Sequence, residues 1–360
     1  MDRFDLRHTL PRLGILTAAT LALACLVPTL SLTSVGGVGG AMERVTFRAV
    51  GALEAQVPVV GWRSDPSADR DALARAYLRL ELGLEEASGQ GLLHRGEARR
   101  EVNRGFDEVT LAFFMGDVTR ALEGLGRLIE GVAEELGEGF ERWDAAADSI
   151  LDSLNGETRV FETDRRSLPY LLHLPDGDPP ADGWPVVVAL HGAGGDERMF
   201  FGGYGAGSIR PLASERGLAV IAPGNAASVD EVLELLEAVV HQARIDLSRV
   251  ALLGHSMGAG IAGRAGESAP ERFRAVACIA GSCGSTRPEV APPPVWIGAG
   301  ALDPISRAPV LEAQARAMNE LGRDVTFVLL EDEGHTLIVG EVLPRVLDWL
   351  GNHLAVSPAR

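Results

Sequence analysis

The 360-residue chain contains no lysine, so all 33 of its basic residues are arginine. That absence removes Schiff-base and pyridoxal-phosphate attachment, the phosphate-loop lysine and a Ser–Lys dyad. With the abundance of alanine and glycine, it reads as the codon bias of a GC-rich genome. Cysteine is nearly as scarce: Cys25, Cys278 and Cys283 are too few for a disulfide framework or a four-cysteine zinc site. The eight histidines contain no His-Glu-x-x-His pattern. Neither a metal nor an organic cofactor is therefore expected. Positive charge is also in deficit. Fifty acidic residues against 33 basic ones give a net charge of −17. A nucleic-acid partner is not expected, because neutralising phosphates needs clustered positive charge. What remains is a globular composition, 46% apolar and 23% charged, long enough for two domains.

Charge is missing again near the N-terminus. Arg3, Arg7 and Arg12 precede an uncharged stretch over residues 13–42. Its first part, residues 13–32, has about the length of one membrane crossing, ~20 residues. Small residues from Ser34 to Ala41 follow it. Two readings fit: a cleaved secretory signal, favoured by Pro28 and the small-residue tail, or an uncleaved anchor, favoured by the length. Either puts the remainder outside the cytoplasm, with membrane contact through residues 13–32 if they are retained. Residues 1–42 are thus set apart from the folded part.

Residues 43–155 read as an all-helical region. Val118, Ala121, Leu122, Leu125, Leu128, Ile129 and Val132 follow three-and-four spacing. Residues 71–86 and 140–154 have similar patterns, and about four helices are expected. No catalytic constellation is visible among them; a bundle, a cap or a partner surface all fit. His94, a lone histidine among Arg95, Arg99 and Arg100, reads as a solvated side chain.

Residues 156–360 change character. Short β-rich runs at 158–163, 168–174, 185–190, 218–222, 249–253, 273–279, 294–298 and 325–330 alternate with helical patterns at 230–244, 257–267, 309–321 and 338–350. Val186-Val187-Val188-Ala189-Leu190 is apolar without alternation, as in a strand covered on both faces. Two antiparallel-looking strands followed by strand–helix alternation predict a mostly parallel eight-stranded α/β sheet flanked by helices. Ligands of such sheets bind beyond the carboxyl ends of the strands.

The residues just after those strands carry the chemistry. Gly254-His255-Ser256-Met257-Gly258 follows the run at 249–253 and opens a helix. Gly-x-Ser-x-Gly between strand and helix exposes the serine oxygen on a tight turn that needs small neighbours. The overlapping Gly258-x-Gly260-x-x-Gly263 matches a dinucleotide fingerprint, but its first glycine lies about a helical turn too late; close helix–sheet packing explains it better. A nucleophilic serine needs a base, and the base an orienting acid. His335, in the loop after the run at 325–330, is the candidate base. Asp303, in the loop after the run at 294–298, is the candidate acid, with Asp332 as second choice. His353 lies in the tail of the last helix. An oxyanion needs backbone N–H donors. His191-Gly192-Ala193-Gly194-Gly195-Asp196 supplies a glycine-rich turn after the run at 185–190. Ala193 is the expected donor there, with Gly194 as the alternative, and Met257 after the nucleophile is the second. His191 reads as a brace for its own loop. Met199, Phe200, Phe201 and Tyr204 either line an acyl or aryl pocket or pack a short helix. Cys278 and Cys283 are read equally as a disulfide or as two buried thiols.

At these residues the chain resembles the α/β-hydrolase superfamily over residues 158–354. The layout is most similar to extracytoplasmic esterases of the polyhydroxybutyrate depolymerase and feruloyl esterase type. It has kinship to phospholipase/carboxylesterase and prolyl-oligopeptidase-like hydrolases. The stretches that carry this are Pro169-Tyr170-Leu171-Leu172-His173-Leu174-Pro175, Val188 to Asp196, Ile245 to Val250, Gly300-Ala301-Leu302-Asp303 and Glu333-Gly334-His335. The resemblance implies a serine hydrolase of small-molecule or polymer esters with Ser256, Asp303 and His335 as triad. One departure stands: such esterases commonly have two glycines after Ser-x, and here Ala259 follows Gly258. The alternatives are a peptidase on the same fold and an anchored interaction protein with an incidental hydrolase domain.

Overall fold

The computed structural model describes residues 66–355, apart from residues 91, 93–95, 115–116, 138–140, 165, 225–227 and 285–292. The hydrophobic segment at 13–32 and His94 lie outside the described residues. Among the described residues, no helix is long and apolar enough to cross a membrane.

Four helices come first: α1 (Pro66–Gly89), α2 (Glu97–Phe114), α3 (Val118–Leu136) and α4 (Glu141–Glu157). Helix α3 shows how local chemistry sets their ends. Asp117 accepts a hydrogen bond from the Arg120 amide at its start, and Gly137 at φ +67° closes it. The apolar stripe seen in the sequence buries Ala121, Leu125, Ile129 and Val132. Helix α2 is the one of the four for which no residue range was read from the sequence.

The rest is an eight-stranded sheet: β1 (Arg159–Glu162), β2 (Ser167–His173), β3 (Trp184–Leu190), β4 (Ala219–Pro223), β5 (Ile245–His255), β6 (Ala275–Ile279), β7 (Val295–Gly300) and β8 (Val325–Leu330). The strand order is β1-β2-β4-β3-β5-β6-β7-β8. The β1–β2 and β2–β4 pairs are antiparallel; the pairs from β4 through β8 are parallel. Every expected strand is present. β5 extends beyond the expected 249–253 because it pairs with β3 from Trp184–Ile245 through Leu190–Gly254. Between and after the strands lie α5 (Ile209–Glu215), α6 (Val229–Val240), α7 (Met257–Ser268), α8 (Ala308–Glu320) and α9 (Ile338–Leu354). Sequence periodicity missed α5, which is barely two turns long.

Period-two alternation sorts the strand side chains to two faces. Val186, Val188 and Leu190 pack with Leu235 and Leu236 of α6, Ala262 of α7 and Leu311 of α8. Val187 and Ala189 face the other way, into a cluster shared with α5, α9 and all four N-terminal helices. The helical layer is therefore not a separate bead on a string. Tyr77, Phe106, Leu125 and Leu154 are buried in the same core as the sheet, and the first three line a space at the carboxyl ends of its strands.

Candidate active site

Three strand ends bring the site together. Ser256 follows β5 directly and occupies φ +53°, ψ −114°, a left-handed-side conformation that a serine adopts only under constraint. Its N–H donates to the Ile279 carbonyl at 2.9 Å, which ties the turn to β6. The flanking glycines are obligatory. A Cβ on Gly258 would collide with the carbonyl oxygen of Leu190, and one on Gly254 with the backbone of Gly258. Gly263 similarly abuts the backbone of Cys283 and Gly284, so the glycines at 258 and 263 let α7 pack closely.

His335 lies after β8, 1% exposed, and its imidazole bridges two partners. Nε2 is 2.9 Å from Ser256 Oγ, and Nδ1 is 2.8 Å from Asp303 Oδ2. Asp303 follows β7. Its other oxygen accepts the N–H groups of Ile305 at 2.7 Å and Ser306 at 2.8 Å, so the carboxylate is held rigidly. Because a carboxylate only accepts, Nδ1 carries the proton and Nε2 is left to accept from the serine hydroxyl. Ser256, Asp303 and His335 thus converge in one hydrogen-bonded row. Asp332, the second choice for the acid, faces away: it bonds Arg100 at 2.7 Å and the Gly96 amide at 3.3 Å.

The loop after β3 borders the same point. Ala193 lines a cavity next to Ser256, and Met257 begins α7, whose first N–H groups have no partner within the helix. Gly194 sits at φ +78° with the Phe113 ring against its Cα, so no side chain is tolerated there. His191 Nδ1 lies 2.7 Å from the Gly192 carbonyl, in keeping with a bracing role.

A second polar row supports the first. The Gly192 amide donates to Tyr204 Oη at 3.3 Å, and Tyr204 Oη lies 2.7 Å from His255 Nδ1. His255 Nε2 donates to the His335 carbonyl at 2.9 Å, which leaves Nδ1 to accept from the tyrosine. Burial holds His255 neutral, its pKa pushed down to about 3, with His335 nearby adding to the effect. The row joins the early glycine loop, the residue before the nucleophile and the histidine loop. Of the four residues weighed as pocket lining or packing, Phe200 and Phe201 are packed inside, and Met199 and Tyr204 line the cavity.

The helical layer contributes more than its sequence revealed. Arg99, Asn103 and Asp107 lie four apart on one face of α2 and grip the histidine loop from above. Arg99 pairs with both carboxylate oxygens of Glu333, at 2.8 and 3.0 Å. Asn103 accepts from the Gly334 amide at 2.9 Å and donates to the Asp332 carbonyl at 2.8 Å. Asp107 accepts the N–H of His335 itself at 2.9 Å. Burial raises the Asp107 carboxyl to about 7, and Asp303 nearby pushes the same way, against the hydrogen bond from His335. Arg99 is 8% exposed and Arg100 is engaged by Asp332. The available signal was the four-residue spacing of polar side chains beside the apolar stripe of α2, on its buried side; their partners are over 200 residues away.

A cavity of about 140 Å³ opens beside Ser256 between this layer and the loop after β3. Cys278 and Cys283, left open between two readings, form a disulfide at the end of β6.

Residues 187–357 match the alpha/beta hydrolase family. The eight-stranded sheet and its flanking helices have the α/β-hydrolase fold, with Ser256 at the turn between β5 and α7. Solved structures similar to the chain include an S-formylglutathione hydrolase from Staphylococcus aureus, 15% identical over 54% of this chain and 95% of that one, with a TM-score of 0.49. Another is an S-formylglutathione hydrolase from Agrobacterium tumefaciens, 19% identical over 55% and 95%, TM-score 0.46. A ferulic acid esterase is 16% identical over 54% and 97%, TM-score 0.46. No curated protein sequence matches the chain.

Proposed function

We propose that the protein is a serine hydrolase that cleaves carboxylic esters through an acyl-enzyme. The observation that carries this reading is the unbroken row Ser256 Oγ–His335 Nε2 and His335 Nδ1–Asp303 Oδ2, at 2.9 and 2.8 Å, beside an open cavity. Ser256 Oγ attacks the ester carbonyl carbon while its proton passes to His335 Nε2. Asp303 holds the tautomer and stabilises the imidazolium that forms. The N–H groups of Ala193 and Met257 receive the negative charge that develops on the carbonyl oxygen. Collapse of the tetrahedral species expels the alcohol, which takes the proton from Nε2. Water, deprotonated by the same nitrogen, then attacks the acyl carbon and releases the acid with Ser256 restored. Besides the ester and the hydrolytic water, the steps use Ser256, His335, Asp303 and two backbone N–H groups.

The strained backbone at Ser256 supports the same reading, since strain of this kind is retained where a side chain must be presented. The test is Ser256→Ala. It should abolish hydrolysis of p-nitrophenyl acetate and labelling by a fluorophosphonate probe; a variant that still takes the label overturns the assignment.

The same proposal places the domain outside the cytoplasm, with residues 13–32 acting as signal or anchor. The Cys278–Cys283 disulfide supports this, because such bonds persist in oxidising compartments.

A further inference from the structure

We propose that the cavity beside Ser256 is an acyl pocket, built by the N-terminal helices, for uncharged apolar acyl groups of up to about six carbons. The proposal rests on the hydrolase reading above and adds to it the class of acid released. Three observations carry it.

The first is the chemistry of the walls. Leu78 of α1, Phe106 and Val109 of α2, Leu125 of α3 and Leu151 of α4 line the space away from the serine. The charged pair in the lining, Asp196 and Arg198, is self-neutralising at 2.6 Å, and Arg198 also reaches Asp71 at 3.0 Å and Asn155 at 3.2 Å. The Tyr77 and Tyr204 hydroxyls are committed to Glu81 and His255, both at 2.7 Å. Both charged side chains of that stretch of wall are therefore already paired, and neither is left to meet a carboxylate, phosphate or ammonium on the acyl chain. The second observation is direction. The departing alcohol must collect its proton from His335 Nε2, so it belongs at the His335–Thr336 rim, and the acyl chain extends past the 192–196 loop under the helices. The third is size. At about 140 Å³ the space matches a cavity of about 150 Å³ that admits one benzene, or about six carbons. On the side of α1 and α4 its wall is the small buried cluster of Leu78, Ala147 and Leu151, with Ala74 packed against it.

The test is a series of p-nitrophenyl esters from acetate to decanoate on the full chain. The expected kcat/KM climbs by up to about fourfold per methylene as far as hexanoate, the factor for burying ~0.8 kcal/mol per CH₂. It then falls at decanoate. Ala74→Phe, which fills that side of the pocket, should lower the ratio of hexanoate to acetate kcat/KM more than tenfold. Leu151→Ala should move the optimum to longer acids. A parallel series of n-alkylboronic acids on the unaltered protein, in which Ser256 adds to boron and the alkyl chain occupies the acyl side, should tighten up to about five or six carbons. That arm does not depend on any variant folding. A flat acyl series with flat boronic-acid inhibition overturns the pocket. So does a length dependence that appears only when the alcohol of an acetate ester is varied. In both cases fluorophosphonate labelling of Ser256 would persist, and the hydrolase reading with it. Absence of both labelling and ester turnover in the unaltered protein overturns that reading, and the pocket falls with it.

Discussion

Replacing Asn103 with alanine isolates the contribution of the helical layer to the chemistry. Asn103 is 1% exposed and does not line the cavity, so the change leaves substrate contacts intact. It deletes the acceptor for the Gly334 amide at 2.9 Å and the donor to the Asp332 carbonyl at 2.8 Å. Leaving a buried polar group without its partner costs about 1–3 kcal/mol, and two are affected here. A loss of about 2–6 kcal/mol of stability is expected, read as a lower urea midpoint at unchanged slope. The more specific consequence concerns His335, the residue after Gly334. Its position depends on Asp303 below, Asp107 and Asn103 above, and His255 at its carbonyl. A shift of about 1 Å in a group that moves a proton costs on the order of 10²-fold in rate. Asn103→Ala should therefore reduce kcat on a p-nitrophenyl ester 10- to 100-fold and leave KM within about twofold, measured well below the unfolding midpoint. A variant that loses stability but keeps the kcat of the parent would refute the positioning role and leave Asn103 as a structural residue only.

Two further predictions concern the buried polar groups. Tyr204→Phe removes the acceptor of the Gly192 amide and the partner of His255 Nδ1 while keeping the ring; kcat should fall about tenfold, with little change in the far-ultraviolet circular dichroism. Unchanged turnover would detach the second polar row from function. Glu81 is buried against Tyr77, and burial pushes its carboxyl up to about 7, opposed by the Tyr77 hydrogen bond and the Arg99 charge. Its folded pKa lies above its unfolded one. Between about pH 4.5 and 7 the unfolded chain binds fewer protons at this site, and its contribution to stability falls as pH rises. Glu81→Gln removes that penalty, so the melting temperature of the variant minus that of the parent should grow between pH 5 and pH 8. A difference independent of pH would refute the assignment.

What the sequence alone determined is local or periodic. The alternation and the unbroken apolar run at 186–190 set strand faces without reference to distant partners. The Gly-x-Ser-x-Gly turn carries its own reason for glycine, since small residues must flank a backbone bent as sharply as that at Ser256. Asp303 and His335 were legible because a parallel sheet sends every strand end to the same rim, so position after a strand stands in for position in space. The Cys278–Cys283 pairing and the functions of Arg99, Asn103, Asp107, His255 and Tyr204 were decided only by tertiary structure. Each of these polar groups is buried, and a buried polar group must find a partner. Sequence spacing exposes the group but not the partner when helix α2 meets a loop more than 200 residues further along. The same holds for the cavity: its walls come from four helices and two loops, and its shape exists only once they have packed over the sheet.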